Sequence, residues 1–318
     1  MRPAGRRRLG AAAVALVLVC AGCGAVRGDG SAPPIVAQYA SFETVAGPPQ
    51  RVLVGLSSTG AGLVAFGTVR FEFAYLGTRE RPRRAETSFT AVATYRPIPG
   101  QRLDLAAPGP RLAPASEAIG VYGADAVRFE AAGFWRVTVT ARLGGARRQA
   151  DAAFEVVDHS RIPAPGTPAP RVENPLPGAP GVHPDAIDSR ADAATPVPDP
   201  ELHSTTVAAA IDAGRPLMVV VSTPTYCTSR FCGPVTDSFA DLARRFGDRM
   251  AFVHLEVWED FQAKKLNAAA AAWIYPAGAE DAREPWVFTV DDKGIIVDRF
   301  DNVATDDELT AAVQRLLA

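Results

Sequence analysis

A proline-rich segment near the middle of the chain constrains the fold more than any other feature of the sequence. Prolines recur at positions 163, 165, 168, 170, 175, 177, 180, 184, 196, 198 and 200. Proline fixes φ and removes a backbone donor, and few large apolar residues lie between these prolines, so the segment cannot form a core of its own. We expect an extended or disordered linker over residues 161–200 that divides the 318-residue chain into two parts.

The amino-terminal residues have the pattern of an export signal. Arginines at positions 2, 6, 7 and 8 precede an apolar run over residues 9–19 that is too short to span a bilayer. Ala21-Gly22-Cys23 then resembles the bacterial lipobox, in which the cysteine is diacylated after cleavage. We therefore expect a signal peptide over residues 1–22, a lipid on Cys23 and a short tether over residues 23–34.

One position departs from the lipobox pattern, because Cys20 stands three residues before Cys23, where leucine is usual. Acylation of Cys20 instead would place the bulky Val19 directly before the cleavage site, which signal peptidases tolerate poorly. The same residues are also compatible with plain secretion or with an uncleaved signal anchor. Each of these routes puts the folded chain on the extracytoplasmic side of the cell membrane, where a disulfide can persist.

Charge and motifs exclude several function classes. The net charge of −2 becomes about −6 once the four arginines of residues 1–22 are removed, which does not favour nucleic-acid binding. The sequence contains no nucleotide or organic cofactor motif, and its β-rich region, residues 35–160, contains no metal-ligand spacing, so we expect neither a cofactor nor a resident metal.

Residues 35–160 have the pattern of an all-β domain. Apolar and polar residues alternate over residues 69–75, 89–95 and 135–141, and glycine-containing turns separate such runs. Residues 129–137 also resemble the penultimate strand of small bacterial periplasmic sandwich domains. We expect an immunoglobulin-like β-sandwich that serves as a spacer or binds a partner.

Residues 201–318 alternate between helix and strand. The pattern predicts helices over residues 205–213, 234–246, 261–272 and 306–317, and strands over residues 216–222, 250–258, 286–290 and 295–300. Asp291-Asp292-Lys293-Gly294 is typical of a hairpin turn, and Thr305 with Glu308 fits a capping box.

Two stretches make this half similar to the exported thioredoxin-like proteins of the TlpA and ResA type. In residues 219–234, a β-branched stretch is followed by Cys227, Cys232 and the start of a helix. Residues 284–297 match the hairpin that comes later in the family. The resemblance implies an α/β thioredoxin-like domain over residues 201–318. It also implies that Pro285 is a cis-proline facing the disulfide.

The cysteine spacing departs from the family, because Cys-x4-Cys replaces Cys-x-x-Cys. Counted from the strand, Cys227 is the nucleophile; counted from the tripeptide Cys232-Gly233-Pro234, Cys232 resembles it. Residues five apart on a helix are separated by about 7.5 Å of rise, beyond the roughly 7 Å limit for a disulfide. A disulfide therefore requires residues 228–231 to be non-helical, with Cys232 near the start of the next helix and Arg230 close to both sulfurs.

His254 is the one histidine whose position suggests a role. In the resemblance it lies where thioredoxins carry a lysine that assists proton transfer, although Val221 stands in place of their buried aspartate. It is either a general base or a satisfied strand histidine. We expect His159, His183 and His203 to be solvated.

The resemblance implies thiol–disulfide exchange with the thiols or disulfides of exported proteins. In this interpretation Cys227 attacks, Cys232 resolves the mixed disulfide, and Pro285 shapes the substrate groove. We expect the lipid to hold the chain at the membrane, and we expect no binding to nucleic acid. Two further interpretations stay open: a non-catalytic adaptor with a structural disulfide, and a copper-handling protein, although copper-delivering relatives use Cys-x3-Cys and a later histidine.

Overall fold

The first nine strands occupy the amino-terminal part of the chain. The computed structural model describes residues 34–105, 109–227, 229–275 and 283–318, so the predicted signal peptide and Cys23 lie outside the described residues. The strands are β1 (Ile35–Tyr39), β2 (Gln50–Ser58), β3 (Gly62–Ala65), β4 (Thr68–Gly77), β5 (Thr87–Pro97), β6 (Arg111–Ala113), β7 (Gly120–Val127), β8 (Gly133–Leu143) and β9 (Ala146–Val156).

Hydrogen bonds join these strands into one antiparallel sheet in the order β6-β3-β2-β7-β5-β4-β8-β9, with β1 paired to β2. The sheet curves so that β1 comes close to β9, since the Tyr39 ring on β1 stacks on the Phe154 ring of β9 with 4.0 Å between the ring centres. Aromatic side chains, including Phe71, Phe73 and Phe129, fill the interior. The alternation over residues 69–75, 89–95 and 135–141 predicted strands, and β4, β5 and β8 confirm it.

The carboxy-terminal part mixes short helices with a second sheet. Its elements are α1 (Val207–Asp212), β10 (Leu217–Ser222), α2 (Cys232–Phe246), β11 (Ala251–Glu256), β12 (Trp258–Asp260), β13 (Lys265–Leu266), α3 (Ala268–Ile274), β14 (Trp286–Val290), β15 (Ile296–Asp301) and α4 (Asp306–Leu316).

Strand β10 lies inside a four-stranded sheet of order β11-β10-β14-β15. It runs parallel to β11 and antiparallel to β14, and all six of its residues are buried. Helix α2 packs Val235, Phe239 and Leu242 against one side of this sheet. The predicted hairpin of β14 and β15 is confirmed, as is the capping box of Thr305 and Glu308 at the start of α4.

The predicted fold class, an α/β thioredoxin-like domain beside an immunoglobulin-like sandwich, is wrong. Strands make up 39% of the structure and helices 16%, so the chain is mostly β with large antiparallel sheets, and an immunoglobulin-like arrangement is not shown. Alternation identifies strands but not their partners, and here all nine early strands join one sheet. The helix predicted over residues 261–272 is instead a hairpin of β12 and β13 followed by the seven-residue α3.

The proline-rich segment is packed against the second sheet. Ile187 and Asp188 are buried, and Ala169 N–H donates to the Gly294 carbonyl at 2.9 Å. Residues between the prolines therefore find partners that composition alone does not reveal, and fixed φ angles lower the entropy lost on ordering. The segment differs in this respect from the extended or disordered linker that its composition favours. The division into domains stays a prediction.

A buried charge cluster joins the two parts of the chain. Arg51 on β2 and Arg96 on β5 both donate to the Glu308 carboxylate on α4, and Arg51 also binds the Asp301 carbonyl at 2.7 Å. Burial alone would raise the pKa of Glu308, but the two guanidinium groups outweigh it and hold that pKa below its usual value. The ion cluster of Arg51, Arg96 and Glu308 therefore links the two parts of the chain.

An apolar patch continues this interface toward the cysteines. Leu53, Ile98 and Val121 of the first part enclose Val303 of the second, and Phe231 packs on them. Since Phe231 directly precedes Cys232, the first sheet supports the loop that carries the disulfide.

Removing one charge from the interface should destabilise the whole chain. Glu308→Gln keeps a side chain that can cap α4 but removes the carboxylate that Arg51 and Arg96 share, which leaves them with Asp301 and Asp125. We expect a cost of about 2 kcal/mol in the free energy of unfolding. The contribution of this carboxylate is present above about pH 4.5 and is lost as the pH falls, because its folded pKa is depressed. Urea denaturation at pH 7 measures the cost.

The matched control is Glu117→Gln, which breaks the exposed pair of Arg111 and Glu117 and should leave stability almost unchanged. Equal stability of the Glu308 variant and the control would contradict the assigned interface.

Candidate functional site

The two cysteines lie in the loop between β10 and α2. Their sulfurs are at disulfide-bonding distance and their Cα atoms are 6.1 Å apart, within the normal range for a bridged pair. Arg230 has a φ of 64°, in the left-handed region, which interrupts the helical path before α2. The predicted non-helical loop is confirmed for residues 229–231, while Thr228 lies outside the described residues.

The two sulfurs differ in accessibility. Cys227 is half-buried and its Sγ lies 3.0 Å from the Ser229 hydroxyl oxygen, whereas Cys232 is fully buried as the first residue of α2. An external thiol can therefore approach Cys227 more easily than Cys232, while a thiolate on Cys232 would be stabilised by the positive end of the helix. This difference favours the count from the strand, in which Cys227 attacks and Cys232 resolves.

Pro285 stands directly before β14, and the Glu284–Pro285 peptide bond is cis, as the resemblance implied. Its carbonyl accepts from the Asn302 N–H at 2.9 Å. Trp286, the next residue, pairs with Val221 near the end of β10. The cis-proline therefore lies at the edge of the sheet where β10 ends and the cysteine loop begins. Its role in binding a substrate stays a prediction.

Glu284 is a titratable side chain beside the sulfurs that the sequence patterns did not single out. A carboxylate oxygen of Glu284 and the sulfurs of Cys227 and Cys232 all lie within 4.8 Å of one another. Burial, reinforced by the negative charge of Glu256, raises the pKa of Glu284 to about 7. The sequence could have indicated Glu284, because this residue directly precedes Pro285, which we expected to face the disulfide.

Glu256 is a second buried carboxylic acid at this edge of the sheet. It ends β11 opposite Ser222 and accepts from the Ser189 N–H at 2.9 Å. Burial raises its pKa, and the nearby His254 opposes that rise. The sequence could have indicated Glu256 through its spacing from His254, because residues two apart on a strand point to the same face.

His254 is placed in a buried cluster with Asp188 and His203. Its Nδ1 lies 3.4 Å from Asp188 Oδ2 and 3.2 Å from His203 Nε2, and its Nε2 lies 3.2 Å from the Ser222 carbonyl oxygen. These contacts fit the satisfied strand histidine, and its role as a general base stays a prediction. The expectation that His203 is solvated is wrong, since it is 3% exposed. His159 and His183 are exposed, as expected.

The electrostatics of this cluster follow from burial and from its partners. Burial alone would raise the pKa of Asp188, but hydrogen bonds and charges from Arg190 and His254 outweigh it and hold that pKa well below the usual range. Burial, together with the charge of His254, lowers the pKa of His203 to about 4. Burial would lower the pKa of His254, but Asp188 and Glu256 outweigh it and raise that pKa.

A small aromatic cluster flanks the accessible cysteine. The Tyr226 ring, directly before Cys227, stacks on Phe261 at 4.0 Å, and Trp258 meets the edge of Phe261. The Lys264 ammonium lies over the other side of this group, 3.5 Å from the Phe261 ring centre. The hairpin of β12 and β13 therefore holds a half-exposed aromatic face next to the reactive loop.

Comparisons with protein-family models, curated proteins and solved structures find no match. The resemblance of residues 201–318 to exported thioredoxin-like proteins thus stays a prediction. Over the described residues, every helix is too short or too polar to cross a bilayer.

Glu284 should control the pH dependence of disulfide opening. When dithiothreitol thiolate attacks Cys227, the departing Cys232 sulfur takes up a proton that the Glu284 carboxyl carries below about pH 7, which adds to its stabilisation by the start of α2. The rate, corrected for thiolate concentration, should therefore fall as the pH rises through about 7. Glu284→Gln should remove this inflection and slow the reaction at pH 6 by about tenfold or more. Acid quenching and mass spectrometry follow the reduction.

Glu86→Gln, at an exposed position before β5, is the control and should behave like the unmodified protein. An unchanged profile in Glu284→Gln would show that this carboxyl does not serve the sulfurs.

Proposed function

We propose that this chain is a membrane-anchored extracytoplasmic thiol–disulfide oxidoreductase acting on exported proteins through Cys227 and Cys232. The observation that supports the proposal most is the Glu284 carboxyl, which lies within 4.8 Å of both sulfurs and has its pKa raised to about 7. A structural disulfide needs no proton carrier beside it. An exchanging disulfide does, since each transfer interconverts thiol and thiolate.

The asymmetry of the two cysteines supports one order of bond exchange. In the reduced protein, the Cys227 thiolate attacks a substrate disulfide, forms a mixed disulfide, and releases one substrate sulfur as a thiolate that takes up a proton. Cys232 then loses its proton to the Glu284 carboxylate and attacks the Cys227 sulfur. The S–S bond to the substrate breaks, and the substrate leaves with two more electrons than it brought.

The same steps in reverse oxidise a substrate dithiol, and the Glu284 carboxyl then returns its proton to Cys232. A separate thiol or disulfide partner outside the cytoplasm resets the couple. The export signal and Cys23 of the sequence support this location, and the lipid would hold the chain at the membrane surface.

Metal handling is the second candidate, because Glu284 adds a third ligand atom near the two sulfurs. Two thiolates favour soft ions such as Cu(I), whereas a carboxylate favours hard ones, so this donor set is mixed. The raised pKa of Glu284 also keeps its carboxyl protonated below about pH 7, which suits proton transfer better than coordination.

Trapping with a defined substrate tests the proposed function. Reduced Cys232→Ala protein, incubated with a peptide dimer linked by one disulfide, should accumulate a mixed disulfide between Cys227 and one peptide, because the resolving thiol is gone. The unmodified protein should release both peptides as thiols. Cys227→Ala should trap about tenfold less, since the remaining Cys232 is buried. Intact-mass spectrometry identifies the adduct.

Two outcomes would change the assignment. Trapping mainly in the Cys227→Ala variant would reverse the roles of the two cysteines. No adduct in either variant would contradict the exchange function and leave the disulfide with a structural role.

A further inference from the structure

Three potential metal ligands meet inside the carboxy-terminal part of the chain, apart from the sulfurs. Asp188, His203 and His254, here the Asp–His–His cluster, are exposed by 0%, 3% and 2% respectively. They come from three separate segments: the proline-rich segment, the turn before α1, and strand β11. Their facing atoms are Asp188 Oδ2, His203 Nε2 and His254 Nδ1.

Hydrogen bonds on the far side of each imidazole fix which nitrogen faces the cluster as a lone pair. His203 Nδ1 lies 3.2 Å from the Asp199 carbonyl oxygen, and His254 Nε2 lies 3.2 Å from that of Ser222. A carbonyl only accepts, so each of these nitrogens carries the proton of its neutral ring. When both rings are neutral, as metal binding requires, both inward nitrogens are acceptors. Metal-binding histidines donate their outer N–H in this same way.

Asp188 adds a third acceptor to the same space. The Arg190 guanidinium donates to Oδ1 at 2.9 Å and to Oδ2 at 2.7 Å, which leaves a further lone pair of Oδ2 for the histidines. Three acceptors thus face one another in a buried site. A single proton on His254 can satisfy His203 or Asp188 but cannot serve both well, because the two lie in different directions from Nδ1.

The separations between the three atoms match those around a tetrahedral ion. Zinc bonds of 2.0–2.1 Å to nitrogen and oxygen place neighbouring ligand atoms about 3.3–3.4 Å apart. The observed separations are 3.2 Å between the imidazoles, 3.4 Å from Asp188 to His254 and 3.9 Å from Asp188 to His203. A shift of a few tenths of an ångström by one side chain would bring all three into that range.

The surroundings also favour a cation. Among the described residues, Arg190 and Arg244 between them form ion pairs with five carboxylates, those of Asp188, Asp199, Glu201, Asp237 and Asp241. The buried Glu256 contributes a further acidic group close to His254. A divalent ion would offset part of this excess of negative charge.

We propose that the Asp–His–His cluster binds one divalent metal ion of the zinc class through Asp188 Oδ2, His203 Nε2 and His254 Nδ1. Imidazole nitrogen with a carboxylate oxygen is a donor set that suits Zn²⁺. The ion fastens the proline-rich segment to β11. This site is independent of the thiol chemistry proposed above.

Metal content after refolding tests the proposal. The mature chain, with its disulfide intact, is unfolded in a chelator, freed of the chelator, refolded with a small excess of Zn²⁺ and gel-filtered before elemental analysis. We expect one Zn²⁺ per chain and an unfolding temperature a few degrees or more above that of protein refolded in chelator. Co²⁺ in place of Zn²⁺ should give the visible absorption of a tetrahedral nitrogen–oxygen site.

Matched variants separate this site from others that could bind zinc. His203→Gln and Asp188→Asn should lose the ion. The double variant His159→Gln/His183→Gln, which changes the two exposed histidines, should keep it. Cys227→Ala/Cys232→Ala should also keep it, which excludes the sulfurs as the ligands.

X-ray absorption on the unmodified zinc-loaded protein covers the case in which His203→Gln or Asp188→Asn fails to fold. It should show a nitrogen–oxygen shell with imidazole scattering and no sulfur. Refolded protein without bound Zn²⁺, an ion retained by His203→Gln, or an ion lost with the cysteines or the exposed histidines would overturn the proposal.

Discussion

The register of strand β10 is the constraint on which the candidate site depends. Its last residues pair with β11 on one side, Ser222 opposite Glu256, and with β14 on the other, Val221 opposite Trp286. The parallel and antiparallel neighbours therefore bring the end of one strand and the beginning of another to the same edge of the sheet. These pairings place three features at that edge: the cysteine loop after β10, Glu256 at the end of β11, and the cis-proline before β14.

The chain buries several acidic groups, and their partners decide what each one does. Glu308 and Asp188 contact guanidinium groups, which hold their pKa values below the usual range, so they act as fixed charges. Burial and the charge of Glu256 instead raise the pKa of Glu284 to about 7. A glutamate side chain can therefore act as a fixed charge at an interface, as Glu308 does, or carry a proton, as Glu284 can.

Local patterns could be predicted from the sequence, and long-range pairings could not. Thr305 with Glu308 predicted the start of α4, and the spacing of Cys227 and Cys232 predicted a non-helical loop, because both depend on a few consecutive residues. The arrangement of nine strands in one sheet depends on partners far apart in sequence, which alternation does not encode. For the same reason, the burial of Asp188 within a proline-rich segment gave no local signal.

The reduction potential of the Cys227–Cys232 couple is the most direct test of the central claim that this disulfide exchanges with substrates. Equilibration of the folded protein in glutathione buffers, followed by alkylation and mass spectrometry, gives its value. The half-exposed Cys227, the helix start at Cys232 and the adjacent Glu284 predict a potential above about −300 mV, in the range of extracytoplasmic oxidoreductases. A potential below about −300 mV, together with a large loss of stability on reduction, would contradict the account, because inert structural disulfides behave in that way.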